Sequence, residues 1–165
     1  MCGLMAELRF IEDFPVKGVR FIDISPKLAD KDDFSKIIDE MSSKVPTNMD
    51  YIIAPESRGY IFGTAVANKL NLGFVPIRKP GKLPDNLVLS VDYYKEYGKD
   101  SLCLPTNSNY ENKNFYFIDD VLATGGTLEA SKQLIQKCGG KFVGAGVYIN
   151  IKALNNLDIN YVECE

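Results

Sequence analysis

The chain has 165 residues, the length of a single domain, and 45% of them are hydrophobic and 25% charged, as in an ordinary globular protein. Its net charge of −3 argues against general nucleic-acid binding, which requires a basic surface. Because histidine is absent, Ser-His-Asp and Cys-His catalytic pairs and His-ligated metal sites are excluded.

The sequence also favours a cytoplasmic location. No apolar run approaches the ~20 residues of a membrane span, and residues 1–10 lack the basic-then-apolar layout of a signal peptide. Cys2, Cys103, Cys138 and Cys164 are scattered without C-x-x-C spacing. That arrangement indicates reduced thiols rather than disulfides or a metal site.

A first strand–helix–strand unit is predicted before residue 80. Residues 32–45 place apolar side chains at helical spacing, which predicts a helix with one buried face. A strand over residues 51–54, a turn over 55–59 and a helix over 61–70 follow, and Asn71 is expected to stop that helix. Residues 74–77 form the next predicted strand.

A second unit of the same kind follows in the C-terminal half. It comprises a strand over residues 115–118, a helix over 127–138 ended by Gly139 and Gly140, and a strand over 142–149. Two such units predict an α/β fold with a mainly parallel sheet flanked by helices on both faces, within one domain spanning residues 1–165.

Residues 79–105 separate the two units and are rich in proline, glycine, charge and tyrosine. A connection this long is usually functional or disordered. The alternation over residues 87–91 predicts a hairpin within it. We interpret the segment as a mobile lid that closes over a ligand; a surface meander is the alternative.

The most informative segment is residues 115–127. A buried strand is followed by Asp119 and Asp120, and a small glycine-rich loop then enters a helix. Ligands of open α/β sheets bind at the carboxyl ends of strands, and a helix N-terminus suits a phosphate. The aspartates could accept hydrogen bonds from hydroxyls. The segment therefore predicts a ligand with a phosphate and vicinal hydroxyls, such as a ribose 5-phosphate group.

Simpler explanations exist for this segment. The aspartates could merely cap a turn, and the loop could be an ordinary connection. The loop lacks the lysine of the G-x-x-x-x-G-K-[ST] motif and the spacing of G-x-G-x-x-G, so ATPase and dinucleotide-binding interpretations are disfavoured.

Four cations follow the first two predicted strands: Arg58 after one, and Arg78, Lys79 and Lys82 after the other. On an acidic protein such a group predicts a local anion site. The alternative is a set of solvated surface charges.

Five motifs resemble the adenine branch of the type I phosphoribosyltransferase family in order and spacing. They lie at residues 14–26, 56–63, 75–84, 96–98 and 115–127. The last motif marks the wider superfamily, and the other four point to the adenine branch. Ile22 departs from the pattern, because many members carry arginine there.

The resemblance implies the type I fold and the conversion of adenine and phosphoribosyl pyrophosphate to AMP and pyrophosphate. It implies that residues 1–30 bind the base, with Phe21 stacking on it and the main chain at Arg20 and Ile22 meeting its edge. Asp119 and Asp120 would bind the ribose hydroxyls. The 5-phosphate would lie in a cradle of main-chain N–H groups formed by Ala123, Thr124, Gly125, Gly126 and Thr127.

The resemblance also implies the catalytic groups. Arg58 and Lys82 would hold the pyrophosphate with Lys79 nearby, and the lid would carry Glu96 and Tyr97. Glu96 is the candidate to assist loss of the adenine N9 proton. No protein metal ligand is predicted. Mg²⁺ would arrive bound mainly through phosphoribosyl pyrophosphate and water. The family further implies a homodimer, with no nucleic-acid or membrane partner.

Three other functions stay open. The substrate could be another purine, such as hypoxanthine or xanthine. The chain could be a non-catalytic regulator that senses phosphoribosyl pyrophosphate, although such regulators usually add a DNA-binding domain. It could also be a flavodoxin-like binding module, which is favoured only if the lid cations play no part.

Overall fold

The computed structural model describes residues 8–84, 88–95, 98–106 and 109–164. The N-terminal part forms a short antiparallel pair of strands, β1 (Arg9–Ile11) and β2 (Phe21–Asp23). The helices α1 (Ser25–Ala29) and α2 (Lys31–Ser43) follow. The Asp30 carboxylate caps α2 by accepting the N–H groups of Asp32 and Asp33, both at 2.9 Å, so this boundary has a local cause.

The body of the protein is a five-stranded sheet. Its strands are β3 (Tyr51–Pro55), β4 (Gly73–Ile77), β7 (Asn114–Leu122), β8 (Lys141–Asn150) and β9 (Asn160–Cys164). The order is β4-β3-β7-β8-β9, and every neighbouring pair is parallel. Helix α3 (Gly59–Leu70) connects β3 to β4, and α4 (Gly126–Lys137) connects β7 to β8. Both predicted strand–helix–strand units are therefore confirmed.

The sheet is covered on both faces, as predicted. Side chains of α4, such as Leu134, pack in one cluster with Phe115 and Phe117 of β7. Side chains of α2 and α3 pack in a second cluster with Tyr116 and Ile118. Successive side chains of β7 point alternately into the two clusters, which explains why this strand is apolar at four successive positions.

The hairpin predicted within residues 79–105 is also present. It consists of β5 (Val88–Lys95) and β6 (Gly98–Pro105), paired antiparallel. Arg78 and Cys103 exchange two main-chain hydrogen bonds of 2.8 and 2.7 Å, which tie the base of the hairpin to the end of β4. Its buried residues, including Val91 and Leu104, join the cluster under α4. Movement of this segment as a lid stays a prediction.

The structure corrects the predicted end of the central strand. The strand does not stop at residue 118 but continues to Leu122, because β8 keeps pairing with it as far as the Leu122–Asn150 partners. Asp119 and Asp120 therefore lie inside β7 rather than after it.

Several elements were not predicted from the sequence, namely β1, β2, α1 and the C-terminal strand β9. Each strand among them is short, and β9 owes its position to pairing with the distant strand β8. None of the helices within the described ranges is long and apolar enough to cross a membrane. The described cysteines, Cys103, Cys138 and Cys164, are free thiols, as predicted, and Cys2 lies outside the described residues.

Candidate active site

A cleft of about 720 Å³ opens at the carboxyl edge of the sheet. It has three walls: the segment before β2, the end of β7 with the following loop, and the segment after β8. Its lining residues include Gly18, Val19, Arg20, Asp119, the whole of residues 123–127, Ile151, Ala153 and Leu154. The cleft thus brings together the predicted base segment, one predicted hydroxyl ligand and the predicted phosphate loop.

The loop of residues 123–127 leads directly into α4. Gly125 has a φ of 88°, a conformation that favours glycine, and it is the N-cap residue of the helix. No side chain caps this helix end. The first N–H groups of α4 therefore remain for another acceptor, and the helix dipole favours a negatively charged one.

The two aspartates differ in their surroundings. Asp119 lines the cleft, and burial and then the neighbouring Asp120 charge raise its pKa well above the usual range. Asp120 is buried, and its Oδ2 forms an ion pair with Nε of Arg58 at 2.6 Å. Gly59 packs against the first carboxylate so closely that a Cβ there would lie 2.8 Å from Asp119 Oδ1. The Asp120 charge is thus paired with Arg58 inside the protein, and Asp119 faces the cleft.

Arg58 connects the aspartates to the predicted base segment. Besides its ion pair with Asp120, its Nη1 donates a hydrogen bond of 3.1 Å to the Ile22 carbonyl. Its guanidinium also lies 4.9 Å from the centroid of the Phe21 ring. The side chain remains about one-third exposed, at 36%. It is therefore accessible from solvent.

Of the three residues predicted to contact the base, only Arg20 lines the cleft, and the side chains of all three are engaged within the protein. The Arg20 guanidinium is turned onto the Phe10 ring, 3.8 Å from its centroid, and its Nε pairs with Glu12 at 3.2 Å. The Ile22 side chain is buried in the core. The Phe21 ring makes an edge contact with Phe14 at 5.2 Å.

A second charged cluster surrounds Glu56, in the turn after β3. Its Oε2 accepts hydrogen bonds from Arg78 Nε at 3.1 Å and from the Lys79 N–H at 3.2 Å. Burial raises the pKa of Glu56, but these two donors and the charge of Lys82 outweigh it and hold the pKa below its usual range. Lys79 and Lys82 are exposed and do not line the cleft itself.

Glu96 and Tyr97 lie outside the described residues. Their predicted positions on the lid therefore stay predictions. Among the residues that are described, no group of three or more carboxylate or thiol side chains is placed to hold a metal ion.

No sequence pattern pointed to the third wall of the cleft, the segment after β8. Ile151, Ala153 and Leu154 line it, and Asn155 donates a hydrogen bond of 2.8 Å to the Ala123 carbonyl in the phosphate loop. The segment has neither helical nor strand periodicity, and its contacts with the loop span some thirty residues of chain. Only the folded arrangement reveals them.

Comparison with known proteins identifies the family. Residues 26–163 match the model of the phosphoribosyl transferase domain. The adenine phosphoribosyltransferase of Thermosipho africanus is 46% identical over 153 residues, which are 92% of this chain and 89% of that protein. The chain belongs to the adenine phosphoribosyltransferase family.

Solved structures of the family agree with the fold. The adenine phosphoribosyltransferase of Thermoanaerobacter pseudethanolicus has a TM-score of 0.91 and 38% identity, covering 98% of this chain and 97% of its own. The Saccharomyces cerevisiae enzyme, solved with adenine and an imino-altritol bisphosphate, has a TM-score of 0.85 and 31% identity, covering 96% of this chain and 94% of its own. The predicted type I fold and membership of a transferase family are thereby confirmed.

Proposed function

We propose that this phosphoribosyltransferase works in purine salvage, transferring the phosphoribosyl group of phosphoribosyl pyrophosphate to adenine and releasing pyrophosphate and AMP. The observation that carries the proposal is the single cleft shared by Asp119, the uncapped N-terminus of α4 and the main chain around Arg20. A phosphate, a ribose and a base are the three parts of AMP. The base would meet the segment before β2, and the ribose and the phosphate would meet the end of β7 and the loop that follows it.

The 5-phosphate would bind at residues 123–127. Main-chain N–H groups and the positive end of a helix suit a dianion, and neither requires a side chain to move. The small residues Ala123, Gly125 and Gly126 let the phosphate approach the main chain closely. The hydroxyls of Thr124 and Thr127 can donate further hydrogen bonds.

Asp119 and Asp120 would act on the ribose. Loss of pyrophosphate leaves positive charge on the ribose ring in an oxocarbenium-like transition state, and nearby carboxylates stabilise that charge. Ribose hydroxyls that donate hydrogen bonds to Asp119 would favour its ionised form, against the burial that raises its pKa in the free protein. No protein nucleophile is required, in accord with the absence of histidine.

Arg58 and Lys82, with Lys79 near them, would hold the pyrophosphate as it leaves. Arg58 follows β3, and Lys79 and Lys82 follow β4, so all three belong to the carboxyl edge of the sheet, where the cleft opens. Mg²⁺ would supply additional charge neutralisation on the diphosphate. The oxygen donors in the cleft suit that ion, which prefers oxygen ligands and keeps several waters. Glu96 would assist loss of the adenine N9 proton, and Tyr97 would lie beside it on the lid of residues 79–105.

Adenine would be selected by the main chain at Arg20 and Ile22, with Phe21 stacked on its face. Adenine presents an amino donor at C6 and an acceptor at N1, whereas hypoxanthine presents the reverse. Each reversed contact costs about 1–3 kcal/mol. Because the main chain would form this contact, Ile22 can stand where many family members carry arginine, and its own side chain is buried.

The proposal extends to a cytoplasmic homodimer. Free thiols in Cys103, Cys138 and Cys164 accord with a reducing compartment. The dimer rests on the family resemblance, and sedimentation of the purified protein would test it.

The decisive experiment is one incubation. The protein is mixed with Mg²⁺, phosphoribosyl pyrophosphate and a panel of adenine, hypoxanthine, xanthine and guanine, and products are measured by mass spectrometry. We expect AMP and pyrophosphate, with hypoxanthine used on the order of 10² to 10⁴ times less efficiently. Comparable use of hypoxanthine would overturn the adenine assignment. Binding of phosphoribosyl pyrophosphate without any product would indicate a sensor instead.

A further inference from the structure

We propose that Asn155 is a positioning residue for the phosphate-binding loop, and that the segment Asn155 organises forms the outer wall of the 5-phosphate site. The inference rests on the proposed function, because the 5-phosphate site is part of that function. Asn155 itself lies outside the five motifs of the family resemblance. Asn155 lies beyond β8, whereas the loop it contacts follows β7.

The contact is specific to one peptide of the loop. Asn155 Nδ2 donates to the Ala123 carbonyl at 2.8 Å. The Ala123–Thr124 peptide is trans, so its carbonyl and its N–H point in opposite directions. Fixing the carbonyl toward Asn155 therefore holds the Thr124 N–H on the opposite side of the loop. Both residues line the cleft, and the proposal assigns the Thr124 N–H to a phosphate bound there.

The amide of Asn155 is itself held in place. Nδ2 also lies 3.0 Å from Oδ1 of the buried Asn150 and 3.0 Å from the Ile151 carbonyl. The Oδ1 atom of Asn155 accepts a hydrogen bond of 3.1 Å from the Leu157 N–H. The donors and the acceptor of one side chain are thus all engaged, which fixes its orientation.

The contact with Leu157 extends the effect to a second part of the loop. The Leu157 side chain packs against Gly125, so closely that a Cβ on this glycine would lie 2.6 Å from Leu157 Cδ1. Gly125 begins α4 with its positive φ. Asn155 therefore supports the loop at a carbonyl directly and at the helix N-terminus through Leu157.

This arrangement removes the loop's need to become ordered when the ligand binds. A main-chain anion site binds weakly if its N–H groups must first be oriented, and preorganisation removes that cost. The residues around Asn155 from Lys152 to Leu154 are exposed, so their position depends on few other contacts. The loss of Asn155 should thus weaken phosphate binding more than it weakens the fold.

The test compares Asn155→Leu with Asn114→Leu. Asn114 makes a matched contact, since its Nδ2 donates to the Asn48 carbonyl at 2.7 Å. It lies at the start of β7, however, whereas the phosphate loop follows the end of that strand. Dissociation constants for AMP and for adenine are measured by titration calorimetry, together with the melting temperature. Asn155→Leu should weaken AMP binding about tenfold and leave adenine binding within about twofold. Asn114→Leu should leave both dissociation constants unchanged.

Hydrogen exchange provides a second readout in the free protein. Amides of residues 121–127 should exchange faster in Asn155→Leu than in wild type, whereas those of α2 should not. If Asn155→Leu does not fold, Asn155→Ser, which keeps a shorter donor, is measured in the same way and should weaken AMP binding about threefold.

Two outcomes would overturn the inference: AMP binding as tight as in wild type, or an equal loss for adenine and AMP. Failure of the proposed function is distinguishable, since wild type itself would then bind no AMP.

Discussion

Two strand-to-helix turns at the carboxyl edge of the sheet carry the residues proposed to bind anions, and the two turns offer different chemical groups. The loop of residues 123–127, after β7, offers main-chain N–H groups at an uncapped helix end. The turn of residues 55–59, after β3, carries Glu56 and Arg58, and both are already engaged within the protein.

The difference concerns what must change when ligand binds. The loop after β7 would need no partner exchange, because its donors are main-chain groups and the Ala123 carbonyl is held by Asn155. Arg58, in contrast, must share or leave Asp120 and the Ile22 carbonyl before it can hold pyrophosphate. In the proposed function the loop after β7 would therefore be a preformed site, whereas Arg58 would couple pyrophosphate, ribose and base through its guanidinium.

Asp119→Asn should break catalysis most severely. Removing a charge that faces the developing cation should lower kcat/KM by about 10²- to 10³-fold. The same change should stabilise the free protein. Burial raises the pKa of Asp119, so ionising this side chain in the folded protein costs free energy of unfolding. Stability that is present at a pH below the usual carboxyl pKa is lost as the pH rises through the raised pKa. Asparagine does not ionise and therefore avoids this loss.

Activity assays and melting curves between pH 4 and 8 would check both effects. Asp39→Asn, which removes an exposed carboxylate paired with Lys69, is the control and should change neither. Wild-type turnover in Asp119→Asn would reduce this residue to a structural role.

Arg58→Met should separate the coupling turn from the preformed loop. It leaves Asp120 buried without its cation, which should cost about 2 kcal/mol of unfolding free energy after allowing for the partial exposure of Arg58. We expect kcat/KM to fall about 10²-fold. Denaturant unfolding and steady-state kinetics provide the measurements.

The double variant Arg58→Met/Asp120→Asn is the control for this prediction. Removing both charges should restore much of the stability without restoring activity, because no unpaired charge is left buried. If the double variant is no more stable than Arg58→Met, the ion pair does not hold Asp120.

Gly125→Ala should disturb the preformed loop alone. The new Cβ would meet Leu157 and occupy a conformation with a φ of 88° that costs about 1–2 kcal/mol for other residues. We expect the KM for phosphoribosyl pyrophosphate to rise about tenfold, with the KM for adenine nearly unchanged. Gly139→Ala, with a φ of 80° beyond the other end of α4, imposes similar strain away from the cleft. An equal KM change in both variants would mean that the effect is global.

Lys82→Ala should give the smallest effect. An exposed lysine at a multiply charged ligand should change the KM for phosphoribosyl pyrophosphate about fivefold at low salt, and less as salt screens the charges. Kinetics at several ionic strengths would measure it. Lys69→Ala, which removes another exposed lysine, this one from α3, should leave the KM unaltered. A KM that is independent of Lys82 at every salt concentration would exclude it from the anion site.

Much of this architecture was determined by local sequence. The apolar run over residues 115–118 and the helical periods of α3 and α4 are patterns within short stretches of chain, so they predict a strand and two helices without knowledge of the fold. Two strand–helix–strand units then predict a parallel sheet covered on both faces. The glycine-rich loop and the aspartates before it were also visible, because the motif is contiguous.

Tertiary structure alone decided the contacts between distant segments. Because β7 pairs with β8, it continues beyond Asp119 and Asp120 to Leu122. The strand β9 likewise forms by pairing with β8, although its sequence has no clear period. The Arg58–Asp120 ion pair joins the turn after β3 to β7, and the Asn155–Ala123 hydrogen bond joins the segments that follow β8 and β7. Periodicity reports which face of an element is buried, but it does not report which remote polar group will stand opposite, since that depends on strand order and register.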